Sequence, residues 1–336
     1  MMTLDDKLAD LAPRIERGLQ AYLAGFDYGL SAELGRMLDY HMGWQGDDGG
    51  RGKRLRPALT LLCAGACGGD YDAAMPAALG IEFLHNFTLI HDDIEDRSEM
   101  RHGRPTLWTR WGLAQAVNAG DALFCIAQLA MLGLGETRGK AVAARAAREF
   151  NQMCLRLTQG QYLDIAFEDA EEVDVETYLT MIAGKTAALI SFCARMGGLA
   201  ADASEDRIAS LGEYGECLGL AFQIQDDILG IWGDPEVTGK SAASDLLARK
   251  KSLPILFGLQ ECEAFKALWE REELTPEMVA EMADLLADCG AEDYVRDKAA
   301  EYTQRAFEML ESAFPSKNED ADALAALTEK LLHREV

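Results

Sequence analysis

Two stretches of this chain place adjacent carboxylates in apolar, helix-like sequence: HDDIED at His91–Asp96 and QIQDDILG at Gln223–Gly230. Buried carboxylates are costly unless something positive sits against them. On a helix, Asp92 and Asp96 lie one turn apart on one face, with Asp93 rotated by about 100°. Two stacked carboxylates repel unless a cation bridges them. Oxygen ligands without a cysteine or histidine set suit Mg²⁺, which keeps waters and binds through few carboxylates plus phosphate oxygens. The same spacing also describes a solvated acidic helix end, with Arg97 and Arg101 as local partners. The second stretch repeats the pair as Asp226-Asp227 but has Gly230 where the first has Asp96.

The chain carries a formal charge of −25 with a pI near 4.5, which argues against nucleic acid or an anionic membrane surface as partner. Clusters of positive charge therefore stand out. One is GGRGKRLRP, with Arg51, Lys53, Arg54 and Arg56; glycines and a helix start favour an approaching anion. Others are Arg97, Arg101 and Arg104 after the first acid pair, and Lys240, Arg249, Lys250 and Lys251 after the second. Acid pairs able to hold Mg²⁺ beside basic clusters are what a diphosphate ester requires. Lys185 lies in an apolar helical stretch with no acid four residues away, which does not suit a surface lysine. His85, on an apolar face, reads equally as a satisfied core histidine. Arg54 and Lys251 are expected to be solvated, and Trp108 and Trp111 to be packing residues.

The elements that must position these residues read as helices. No proline falls between Thr106 and Asp234, apolar residues recur at three and four, and period-two runs are nearly absent. Helix starts are expected near Asp72–Pro76, at Ser204-Glu205-Asp206 and at Thr275-Pro276. Breaks are expected at Gly46–Gly52, Gly68–Gly69, Arg101–Pro105 and Gly233–Ser244. The expectation is one all-α domain over residues 1–336, of ten or more helices and without a sheet. The eight cysteines form no C-x-x-C pair and read as reduced thiols of a cytoplasmic protein. The opening MMTLDDKLAD lacks the basic n-region and apolar core expected of a signal peptide, and no contiguous apolar run reads as long enough to span a bilayer.

GKRLRP, HDDIEDRSEMRHGRPT, KTAAL and FQIQDDILG…GDPEVTGK…SDLLARKKSLP resemble, in order, the motifs of the trans-isoprenyl diphosphate synthases, the short-chain polyprenyl synthetases. The likeness runs over about residues 50 to 255. It implies an isoprenoid synthase-type helical bundle around a central cavity. It also implies a Mg²⁺-dependent prenyltransferase that joins an allylic diphosphate to isopentenyl diphosphate by ionisation, condensation and elimination. By the same resemblance Asp92 and Asp96 bridge two Mg²⁺, Asp226 holds a third, and Asp93 and Asp227 orient waters or neighbouring cations. Arg101, Lys185, Lys240 and Lys250 would hold the departing diphosphate. Thr186 and Gln223 would present oxygen dipoles to the allylic cation, and Lys53, Arg56 and His85 would take isopentenyl diphosphate.

The chain departs from the family pattern twice. Its Arg101-His102-Gly103 replaces a usual Arg-Arg-Gly, so His102 would supply a hydrogen-bond donor in place of a fixed charge. Gly230 replaces a usual third aspartate. A class I terpene cyclase of the same fold would not need the isopentenyl pocket that Lys53 and Arg56 imply. An inactive partner subunit would be expected to lose Asp92, Asp96 or Asp226. Phe87 and Thr88, five and four residues before Asp92, lie about one turn deeper along the helix, where a growing tail would run. They imply geranylgeranyl diphosphate as product, with farnesyl diphosphate the alternative. The family habit is a homodimer.

Overall fold

The computed structural model describes residues 3–45, 52–234 and 243–332. The helices run in the order α1 Leu4–Ala24, α2 Ala32–His41, α3 Leu55–Ala66, α4 Tyr71–Glu95, α5 Leu107–Trp111, α6 Leu113–Leu132, α7 Leu134–Thr137 and α8 Lys140–Asp169. After α9, Val175–Ile182, a π-helical turn at Ala183–Ala187 leads into α10, Ala188–Ala200, and then α11, Glu205–Trp232. The remainder is α12 Ser244–Leu247, α13 Leu253–Glu261, α14 Glu263–Trp269, α15 Pro276–Asp288, α16 Ala291–Ala313 and α17 Glu319–Leu332.

The starts follow their caps. Thr275 accepts from the Met278 N–H with Pro276 at the first helical position, and Thr3 forms a capping box with Asp6. Helix α4 opens one residue before Asp72, because Asp70 is the cap and accepts from the Asp72 N–H at 3.0 Å. The expectation of no sheet is corrected at Arg101–Pro105. Met100–Arg101 and Arg104–Pro105 form a two-residue antiparallel ladder. His102 and Gly103 turn it with φ of 50° and 74°, the signs a tight hairpin of this hand requires.

The described residues group into two compact units. The first comprises Met1–Phe150, Cys193–Ile208 and Ser316–Leu324. Its centre is α4, packed against α1, α3 and α6 and burying Ala74, Ala77, Ala78, Ile81, Phe83 and Leu84. The second comprises Asn151–Phe192, Ala209–Pro315 and Ala325–Val336. It has one cluster around Tyr178, Met181, Ile182, Leu220, Ile224 and Leu253, and another around Phe265, Val279, Met282 and Leu286.

Among the described residues, three helical stretches, Tyr71–Glu95, Leu113–Thr137 and Val175–Ala200, are long and apolar enough to cross a membrane by length and composition. Counting uninterrupted apolar runs missed them because each carries scattered polar residues. In the first and third, 61% and 67% of the apolar window is buried inside the protein.

One crossing in the second unit fixes the backbone that carries Lys185. Gly160 of α8 meets the π-helical turn at Gly184 with backbone on backbone. A Cβ added at Gly160 would lie 2.1 Å from the Lys185 nitrogen and 2.6 Å from the Gly184 carbonyl carbon. A Cβ at Gly184 would lie 2.7 Å from the Arg156 oxygen. Single π-turns inside helices concentrate at functional positions, and this one holds Lys185 and Thr186.

Candidate active site

The residues singled out in the sequence divide between the units. In the first, Asp92 and Asp96 are one helical turn apart at the end of α4, where the Asp96 N–H donates to the Asp92 carbonyl at 2.8 Å. Asp92 is half-buried and Asp96 exposed. Asp92, Asp93, Glu95 and Asp96 gather where the helix dipole favours cations, and the last turn of α4 contains no basic residue. A cation at this end is electrostatically favourable. Among the described residues, no group of three or more His, Cys, Asp or Glu side chains could hold a metal by itself. A pair of carboxylates fits Mg²⁺ carried in with phosphate oxygens better than an all-protein cage.

Asp93 faces the other way. It is buried and accepts from the Arg101 guanidinium at 2.8 Å. Burial raises its pKa and Arg101 opposes the rise. Asp93 thereby holds Arg101, which leaves the hairpin immediately after α4. His102 is exposed at the hairpin turn, and burial of its ring, then Arg101 and Arg104, lower its pKa. It supplies no fixed positive charge at neutral pH.

Arg56 reaches His85 with Nη1 to Nε2 at 3.1 Å. Burial first, then the charges of Arg56 and Arg101, push the His85 pKa well below its ordinary value. The imidazole is neutral and can accept from the guanidinium. Arg56 forms no ion pair among the described residues, and its Nε is buried without a hydrogen-bond partner. An unpaired guanidinium in so acidic a protein is set up for an anion. His41, unsingled in the sequence, adds a second neutral imidazole: burial, then Arg101 and Arg104, lower its pKa to about 3. Lys53, three residues before Arg56 in the chain, is exposed.

Arg54 corrects the expectation of a solvated side chain. It is 6% exposed, bonded to Glu16 at 3.0 Å, Glu82 at 2.7 Å and the Met42 carbonyl at 3.0 Å. Burial disfavours its charge, but Glu82 and Glu16 outweigh that and raise its pKa. It is a structural ion pair that holds the lead-in to α3, so only some of the basic cluster is free for a ligand. Trp108 and Trp111 pack as expected, donating to the Ser98 carbonyl and to Glu33.

Phe87 is half-buried, 5.0 Å from the Phe124 ring of α6, and Phe124 lies 6.2 Å from Phe150. Thr88 turns its hydroxyl back to the His85 carbonyl at 2.8 Å. The bulk below Asp92 is thus shared by three helices, α4, α6 and α8. On the family resemblance, both Phe87→Ala and Phe124→Ala should lengthen the prenyl product, read by mass analysis. Unchanged chain length in both would show that this aromatic stack is not the floor.

In the second unit, the Lys185 ammonium pairs with Asp164 of α8, an acid too distant in sequence to be seen by local spacing. Thr186 donates to the Gln223 amide oxygen at 2.9 Å, and the Gln223 amide nitrogen donates to Asp227 at 3.2 Å. Asp227 is buried and also accepts from Tyr178 and from the Leu253 N–H at 3.2 Å. Burial raises its pKa to about 6, opposed by Lys250. Burial disfavours charge on Lys250, but Asp227, Asp245, Asp164 and Asp226 outweigh it and raise its pKa. Asp226 is half-buried in the same turn of α11. Lys251 is not solvated as expected, since its ammonium donates to the Phe167 and Glu168 carbonyls. Lys240 lies outside the described residues.

Gly230 has a steric reason. A Cβ there would lie 2.5 Å from an Asp245 carboxylate oxygen, so Asp245 occupies the space a side chain at 230 would claim. Gly230→Asp should therefore displace Asp245 and set two carboxylates against each other. The expected result is a lower melting temperature and a raised Mg²⁺ requirement, measured by thermal unfolding and metal titration of activity. Wild-type values in both would remove Asp245 from consideration.

The family model of the polyprenyl synthetases matches residues 44–288 of this chain. The chain belongs to the polyprenyl synthetase family. It is 38% identical over 342 residues to the geranylgeranyl diphosphate synthase of Mycobacterium tuberculosis, covering 99% of this chain and 93% of the relative. The geranylgeranyl pyrophosphate synthetase of Pyrococcus horikoshii superposes with a TM-score of 0.87 at 30% identity, covering 99% of this chain and 98% of that one. A geranylgeranyl pyrophosphate synthase of Corynebacterium glutamicum, solved with isoprenyl diphosphate and magnesium, superposes at 0.82 with 25% identity, covering 99% and 100%. The polyprenyl synthetase described here has the all-α isoprenoid synthase fold, and its family membership makes it a trans-prenyltransferase.

Proposed function

We propose that this polyprenyl synthetase condenses an allylic diphosphate with isopentenyl diphosphate to give geranylgeranyl diphosphate. The observation that carries the reading is Arg56, a guanidinium without an acidic partner held against a neutral His85. A cyclase acting on one diphosphate has no use for it. Arg56, together with Lys53, would hold the isopentenyl diphosphate, and Arg101, braced by Asp93, would hold the allylic one. Asp92, Asp96 and Asp226 would carry Mg²⁺, which when bound neutralises charge on the departing diphosphate.

Bond breaking leaves an allylic cation, and Thr186 and Gln223 would present oxygen dipoles to it. The isopentenyl double bond attacks that cation, a carbon–carbon bond forms, and a proton is lost to the departed diphosphate. Lys185 and Lys250 would keep that diphosphate in place. The exposed apolar side chains Leu129 and Leu132 on α6 support a homodimer. The acidic charge supports work in the cytoplasm.

The deciding experiment incubates purified protein with Mg²⁺, isopentenyl diphosphate and each allylic diphosphate in turn, with products identified by mass. Twenty-carbon diphosphates are expected. A fifteen-carbon end product would favour farnesyl diphosphate synthesis, and hydrocarbon release from an allylic diphosphate alone would favour a cyclase.

A further inference from the structure

We infer that Tyr178 is a positioning residue that fixes the Gln223 amide through Asp227. The inference rests on the reading that Gln223 and Thr186 face the allylic substrate. Tyr178 is 1% exposed, its ring set among Met181, Ile182, Leu220 and Ile224. A phenylalanine would satisfy that packing, so the hydroxyl is the unexplained part. Burying a hydroxyl is unfavourable unless its hydrogen bond is made, and this one donates to an oxygen of Asp227.

Asp227 is likewise 1% exposed. As a carboxylate it only accepts, so it dictates the orientation of each group that touches it. Oδ2 takes the Tyr178 hydroxyl and the Leu253 N–H, and Oδ1 takes the Gln223 amide nitrogen. With its NH₂ committed to Asp227, Gln223 must turn its oxygen the other way, and there it accepts from Thr186 at 2.9 Å. Thr186 has one proton and spends it on Gln223, which leaves the hydroxyl lone pairs outward. The order of control therefore runs from Tyr178 to Asp227, then Gln223, then Thr186. Without the tyrosine hydroxyl, Asp227 loses one of its three donors. Lys250, whose charge already acts on the same carboxylate, would then pull on it with one donor fewer to hold it in place.

The test uses the full chain with Mg²⁺ and compares Tyr178→Phe, Gln223→Leu and the double variant. Tyr178→Phe should lower kcat roughly ten- to a hundredfold, the worth of one buried hydrogen bond to a charge. KM for both diphosphates should stay within about threefold, because the effect lies in the transition state. The double variant should turn over no more slowly than Gln223→Leu alone. In ¹⁵N-labelled protein, the Gln223 side-chain NH₂ should exchange slowly with solvent, and faster in Tyr178→Phe. A slow Gln223→Leu beside a Tyr178→Phe at wild-type kcat, or losses that multiply, would overturn this inference alone. Gln223→Leu at wild-type rate would instead overturn the site reading beneath it. Should the phenylalanine variant not fold, rapid NH₂ exchange in the wild-type protein overturns the inference without it.

Discussion

Asp92→Ala should reduce turnover by on the order of a thousandfold or more while leaving the melting temperature close to that of the parent. Asp92 is half-buried at the end of α4, away from the Ala and Leu positions that form the core of that helix. Removing it relieves repulsion with Asp96 and removes one charge from the unfavourable end of the helix dipole. The buried face of α4 is untouched, so the folded protein should persist without a ligand. The loss should appear only when diphosphate must be neutralised, and calorimetry should show weaker binding of magnesium with inorganic pyrophosphate. Product formation and thermal unfolding measured side by side decide the matter: retained activity would remove Asp92 from the site.

Gly160→Ala is expected to destabilise the fold strongly. Glycine to alanine inside a helix ordinarily stabilises by up to about 1 kcal/mol. Here the added carbon would lie 2.1 Å from the Lys185 nitrogen and 2.8 Å from the Met181 oxygen, both backbone atoms. Neither can move without unwinding the π-turn. Overpacking of this kind costs about 1–3 kcal/mol when side chains can yield, and more when only backbone can. A loss of at least about 3 kcal/mol is expected in denaturant unfolding. Whatever protein remains folded should have Lys185 misplaced and reduced activity. A variant as stable as the parent would show that the α8 crossing is loose.

The site was legible where helix periodicity converts spacing into geometry. Asp92 and Asp96, or Gln223 and Asp227, share a face because they are four apart, and the structure joins the second pair by a hydrogen bond. It was illegible where a partner arrives from far along the chain. Asp164 is 21 residues from Lys185, Tyr178 is 49 from Asp227, and Glu82 is 28 from Arg54. Arg54 shows the consequence. In a run of basic residues it has every mark of a solvated charge, and only Glu16 and Glu82 reveal it as a buried pair. Gly230 reads as a lost acid until Asp245 is seen filling its place. The all-helical architecture was plain from the proline-free interval. The two-residue hairpin was not, because so short a ladder leaves no alternation to detect.

Helix α4 is also a ruler. From Asp92 toward its start, each residue steps back about 1.5 Å and each turn about 5.4 Å. On that scale Asp92, the proposed metal ligand, is the zero mark and Phe87 the proposed first stop, with Phe83 and Leu84 about one turn beyond it, both essentially inaccessible to solvent. Removing the first stop should therefore lengthen the tail by a bounded step rather than without limit. Product size in such an enzyme would change in increments set by the helical repeat, and a single substitution moves the stop by a turn at a time.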